Sequence, residues 1–255
     1  MTVHQMTNRP NVNCPSAMHK FFGAVIFCLL GNLAWASEQP VAVVTHVSGT
    51  LTKKRADETI KLLSVKSEVM QGDTLVTEAE TYARLKFIDG SEVVLRPQSR
   101  VKVDKFSFEE IAPAKDSMVL SLLKGGMRAV TGLLGRRSKE NVEYKTPTAT
   151  IGIRGTNTGM LHCDNDCGNI PTTSGQPPAN GTHVDVAFGS VIVRNESGSQ
   201  ILNAGQFGFV PSTDSPPIMV PANQGIQITI PPSINTNSTG GRSLGGAALD
   251  TQCTP

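Results

Sequence analysis

Thr146-Pro-Thr-Ala-Thr-Ile-Gly-Ile-Arg-Gly-Thr156 is dominated by β-branched residues, which predicts a strand rather than a helix. Pro147 has no backbone N–H to give a ladder, so it belongs at the strand entrance or on an edge. Gly152 leaves space for another backbone or side chain to come close. Arg154 stands between Ile153 and Gly155, and a guanidinium in an apolar strand is costly unless it is paired. It is expected to bond to strand-end carbonyls or to Asp73 or Asp89, the alternative being an anchor for an anion or partner.

The flanking sequence has the same character. Val41–Val47 and Thr74–Thr77 are apolar, β-rich runs, the second entered through a Gly72-Asp73 turn. Ala83, Leu85 and Phe87 alternate with Arg84 and Lys86, the period of a half-buried strand. An Asp89-Gly90 turn leads to Val93–Leu95, Pro97 breaks the chain, and Val101 and Val103 alternate with Arg100 and Lys102. The best helical candidate, 119–134, is cut by Gly125-Gly126 and is read as two short strands. An all-β domain of short strands follows, with a sandwich, a jelly-roll-like barrel and a solenoid all open.

At the N-terminus, Lys20 precedes the apolar run Phe21–Leu30, and Ala34-Trp35-Ala36 forms an A-x-A cleavage pattern. Residues 1–36 are therefore expected to be a cleaved signal peptide too short to span a membrane, with translation starting at Met18. The protein is expected to be periplasmic or secreted. Of 23 basic residues against 21 acidic, Arg9 and Lys20 fall in the leader, so the exported part is charge-balanced. That balance argues against a nucleic-acid partner. Cys163, Cys167 and Cys253 remain after the leader, and export permits disulfides.

The order of several segments resembles the FecR domain, a Gram-negative periplasmic family. They are Gly72–Thr77, Ala83–Ser91, Leu122–Ala129, the Thr146–Thr156 stretch with Pro147, Ala149, Ile151, Gly152, Ile153, Arg154 and Gly155, then Val184–Val193 and Leu202–Gln206. The resemblance implies a β-solenoid-like or β-helix-like periplasmic domain over 41–212, in a family best known for relaying signals from outer-membrane receptors to sigma factors. That relay role is not carried over, because no cytoplasmic helical domain precedes the apolar segment and that segment looks cleavable. Asn157-Thr158-Gly159 also departs from the bulkier or acidic continuation expected there.

The polar insertion 162–181 is expected to hold a local Cys163–Cys167 disulfide, with a metal site or redox pair as weaker alternatives. Arg136, Arg137, Asp164 and Asp166 are candidate partner contacts. No hydrolase elbow, phosphate loop or paired-histidine motif appears, so neither catalysis nor a cofactor is expected. Residues 213–234 form a Pro-rich extension with one strand at Ile226–Ile230, and 235–255 a flexible tail. The expected role is a non-catalytic binding or scaffold protein of the cell envelope with a periplasmic protein partner. The alternative is a structural or surface protein on peptidoglycan or polysaccharide.

Overall fold

The computed structural model describes residues 39–235 apart from 171, 173 and 174. The leader, the tail from 236 and Cys253 lie outside the described residues. The strands are β1 (Ala42–Val47), β2 (Leu51–Lys54), β3 (Ile60–Leu63), β4 (Glu68–Val69), β5 (Thr74–Thr77), β6 (Ala83–Phe87), β7 (Glu92–Leu95) and β8 (Arg100–Ser107). They continue with β9 (Ser117–Val130), β10 (Val142–Lys145), β11 (Thr150–Cys163), β12 (Gly181–Asn195), β13 (Gly198–Asn203), β14 (Phe207–Val210) and β15 (Ile218–Val220). Two short helices are α1 (Leu133–Arg137) and α2 (Pro232–Asn235).

All fifteen strands belong to one open, mixed sheet, and every pairing is antiparallel except that of β9 with β10. The all-β expectation holds. The solenoid is not what these pairings build, because a solenoid stacks parallel strands coil on coil.

The sheet folds over at glycines. β9, β11 and β12 each bend at a residue in the left-handed region: Gly125 (φ 76°), Gly155 (φ 64°) and Gly189 (φ 80°). On either side of the bend each strand has different partners. The C-terminal half of β9 pairs with β7 and β11, whereas its N-terminal half pairs with β8 and β10. The region read as two short strands is thus one strand bent at Gly125. One leaf runs β15-β14-β12-β11-β9-β7-β6-β1-β4 and the other β3-β2-β5-β8-β9-β10-β11-β12-β13. Strands that bend from one layer into the next form the corners.

The leaves enclose one core, to which Leu85, Leu95 and Met127 contribute from the first and Leu75, Leu120 and Ile151 from the second. Leu51 and Leu75 alternate with exposed or half-buried neighbours, the period-2 signal made physical.

The Pro-rich extension differs from its expectation. Its strand is β15, at Ile218–Val220, and Ile226–Ile230 forms none. That run instead crosses the outer surface of the first leaf as a strap. Arg128 Nε donates to Ile228 O at 2.8 Å, and an Arg84 Nη2 donates to Ile234 O. Prolines at 231 and 232, and a course over the middle of the leaf at Arg128 and Asp185 rather than along its β4 or β15 edge, explain why alternating isoleucines do not join a ladder.

Candidate functional site

The Thr146–Thr156 stretch is the scaffold's corner. Residues 146–149 close the β10–β11 hairpin, with Thr146 N donating to Ala149 O at 2.8 Å. Ala149, Ile151 and Ile153 enter the core, and a Cβ on Gly152 would meet Ile192 Cγ2 at 2.9 Å, the close approach expected there. Gly155 makes the bend, and Thr156 N donates to Thr131 Oγ1 at 2.9 Å, fixing the entrance to α1. Pro147 stands just before β11, as expected of a strand entrance.

Arg154 corrects its expectation. It is exposed on the outer surface of the second leaf and bonds neither Asp73 nor Asp89. Asp73 instead receives Lys53 Nζ at 2.8 Å, with Arg55 Nε at 3.4 Å, and Asp89 accepts from Ser91 Oγ at 2.7 Å. The strand's outward face, not its apolar neighbours in sequence, decides where that side chain points.

Arg136 and Arg137 part company. Arg136 is exposed. Arg137 donates to both oxygens of Asp116, at 2.7 and 2.9 Å, and to the carbonyls of Glu109 and Glu110, and its guanidinium lies 4.6 Å from the centre of the Phe108 ring. It holds the Asp116 carboxyl below the ordinary value. Arg137 therefore pins the 109–116 loop.

The insertion is built, not loose. Cys163 and Cys167 form the expected disulfide. With Leu161, Ile226 and Ile228 they make a small second core, against which Ile170 packs. Asp166 accepts from Asp164 N at 2.9 Å and pairs with Lys124 at 3.4 Å, while Asn165 and Asn180 bond each other through side chain and backbone. Asp164 is exposed.

Between this insertion and the Ala79–Tyr82 and Arg96–Gln98 turns lies a cavity of about 340 Å³, lined by Glu80, Tyr82, Arg96, Lys124, Asp166 and Ile170 among others. Arg96 Nε is buried there without a hydrogen-bond partner, and Glu80 and Gln98 on its rim have φ of 60° and 56°. An unpartnered buried donor and non-glycine residues in the left-handed region are features that concentrate at functional surfaces. Sequence reading missed Arg96, because only the folding of the insertion over Gly126 brings it together with Lys124 and Asp166.

Beside the cavity, the strap closes over a buried ion pair. Arg128 Nη2 meets Asp185 Oδ1 at 2.9 Å, and Arg128 Nη1 donates to Asn157 Oδ1 at 2.7 Å. Thr158 Oγ1 donates to Asp185 O at 2.7 Å. Burial pushes the Asp185 carboxyl above its ordinary value, opposed by Arg128 and by the Ile228 N–H. A Cβ on Gly159 would stand 2.1 Å from Asp185 Oδ1 and 2.7 Å from Ile228 Cβ. Asn157-Thr158-Gly159, the departure noted in the sequence, is thus the seat of the pair and its strap.

His162 and His183 are held by packing and hydrogen bonds within the fold. His162 Nδ1 lies 3.1 Å from Thr182 Oγ1, and His183 stacks on Phe209 with Nε2 2.8 Å from Ala179 O. Burial lowers the pKa of both. Among the described residues no group of three or more His, Cys, Asp or Glu is placed to hold a metal ion, and no helix is long and apolar enough to cross a membrane.

No curated protein matches the chain. Two crystal structures of a candidate anti-sigma factor from Parabacteroides distasonis overlap it with 13% identity and a TM-score of 0.42, covering 60% of this chain and 61% of that one. The chain thus spans about three fifths of the length of those structures. A cell surface anchoring domain overlaps at 22% identity and a TM-score of 0.25, covering 25% of this chain and 84% of that one. These overlaps are too partial to bear on function. The family described as FecR protein matches residues 73–191, which take in strands β5 to β11, all three corner glycines and the Thr146–Thr156 hairpin. Residues 73–191 of this chain are a FecR domain.

Proposed function

We propose that this chain is an exported, non-catalytic binding protein of the Gram-negative cell envelope that grips a protein partner in the periplasm. The observation that carries the reading is the free edge of the second leaf. β3 pairs only with β2, and its Ile60 and Leu62 are 68% and 73% exposed. An open strand edge with apolar side chains is a template for strand addition, the backbone giving affinity and the side chains selectivity. Export rests on the leader, and a binding role rests on the FecR domain together with the absence of a catalytic motif in the sequence.

A photo-crosslinking residue placed at Leu62 in producing cells tests this. A discrete adduct is expected, and it should disappear in an Ile60→Asp variant carrying the same crosslinker. No adduct, or a ladder of nonspecific ones, contradicts the reading.

A further inference from the structure

Eight strands of the second leaf each place one residue on a single line across its outer surface. Lys54 stands opposite Thr74, Thr74 opposite Lys102, and Lys102 opposite Ser121. Ser121 stands opposite Lys145, Lys145 opposite Thr150, Thr150 opposite Arg194, and Arg194 opposite Ser199. Cation and hydroxyl alternate without a break from β2 to β13. The line faces away from the core, because the sequence neighbours Leu75, Val101, Tyr144, Ile151 and Val193 are all buried.

Neighbouring strands lie about 4.8 Å apart, so the cations recur about every 9.6 Å along a line of roughly 29 Å from Lys54 to Arg194. Lys145 and Arg194 are exposed, and Lys145 has no acidic partner among the described residues. Lys102 pairs with Asp104 at 3.0 Å, while Lys54 pairs with Glu58 and Arg194 with Glu143. Such exposed pairs are weak and readily exchanged. Arg100 and Arg154 are exposed on the same surface and add to its cations, although the exported part is charge-balanced. At its β11–β12 end the line opens into a cavity of about 320 Å³ lined by Thr146, Pro147, Thr150 and Arg194 among others.

We propose that this line is a binding track for a linear acidic polysaccharide lying across the strands. One carboxylate sits over each cation, and sugar hydroxyls bond the intervening threonines and serines. The repeat fits a charge on every disaccharide of an extended glycan. Nucleic acid presents a charge about every 3.4 Å per strand, far denser than this track. A lipid surface has no use for a single line of alternating hydroxyls. The track is separate from the β3 edge, so either reading can fail without the other.

Affinity electrophoresis of the exported protein through gels containing hyaluronan, which carries one carboxylate per disaccharide, tests the proposal. Retardation that weakens with salt is expected, with none in carboxyl-reduced hyaluronan. Lys102→Gln/Lys145→Gln should bind about tenfold more weakly, and Thr150→Val should also lose affinity. Arg136→Gln/Lys139→Gln, off the line, should bind as wild type, and so should Ile60→Asp. No retardation of the wild type overturns the proposal, as does equal loss in the off-line variant. Tighter binding to phosphatidylglycerol vesicles than to hyaluronan would replace the glycan by a membrane and overturn it too.

Discussion

Two arginines show how far a sequence can be read at the level of single residues. Arg154 lies among isoleucines and reads as a paired charge; Arg137 lies in a basic run and reads as an exposed partner contact. The fold reverses them, because a strand sends neighbours to opposite faces and because Arg137 meets Asp116, which is distant in sequence. Arg137→Met should therefore lower the melting temperature clearly, while Arg154→Met stays within about 0.5 kcal/mol of wild type, as surface changes do. Equal melting temperatures would refute this assignment. Tyr144 gives a second residue-level test. Its side chain is fully buried with the hydroxyl lacking a hydrogen-bond partner, and burial pushes its pKa up. Removing an unsatisfied buried polar group costs nothing, so Tyr144→Phe should match or exceed wild-type stability in denaturant titration. A loss above about 1 kcal/mol would mean the hydroxyl is satisfied.

Two short strands were legible: Ala83–Phe87 stands as β6 where alternation puts it, and Thr74–Thr77 as β5 directly after the Gly72-Asp73 turn. The strap was not, because Ile226, Ile228 and Ile230 alternate like a strand but lie over the face of the leaf instead of along an edge. The bends were half legible. Gly125-Gly126 signalled a break, whereas Gly155 and Gly189 look unremarkable until their positive φ is seen. Gly189→Ala should be far more damaging than Gly90→Ala. Both impose a left-handed alanine, costing roughly 1–2 kcal/mol. The new Cβ at 189 would also stand 2.3 Å from Gly155 O, while that at 90 meets nothing within 4 Å. Similar unfolding midpoints for the two variants would contradict the corner. The buried pair makes its own prediction. Arg128→Met should cost roughly 3–5 kcal/mol by stranding Asp185, and Arg128→Met/Asp185→Leu should recover part of that loss. A double variant no better than the single one would mean the pair is not what seats the strap.

At the scale of the molecule, turn spacing made the all-β class readable, and the order of motifs from Gly72–Thr77 to Leu202–Gln206 made the FecR resemblance readable. The fold-over was not, since it rests on which strand halves pair across long sequence separations. Two buried histidines give the whole domain a pH response. The pKa of His162 and His183 lies below the ordinary value of 6.5, so below that pH the unfolded chain takes up protons that the folded one resists. Their contribution is present above about 6.5 and lost as pH falls through the depressed values. The melting temperature should drop between pH 7.5 and 5.5, and His183→Phe should flatten that drop; an unchanged slope would assign it elsewhere. The central claim is a sheet folded in half, one outer surface covered by the strap and insertion and the other carrying a free cationic track. Amine-reactive footprinting with and without hyaluronan tests it most directly. Lys53, 6% exposed and held by Asp73, should resist labelling, while its neighbour Lys54 reacts together with Lys102 and Lys145. Hyaluronan should protect those three and leave Lys115 and Lys139 reactive. Labelling of Lys53 as fast as Lys54 would contradict the fold, and protection of Lys139 equal to that of Lys145 would contradict the track.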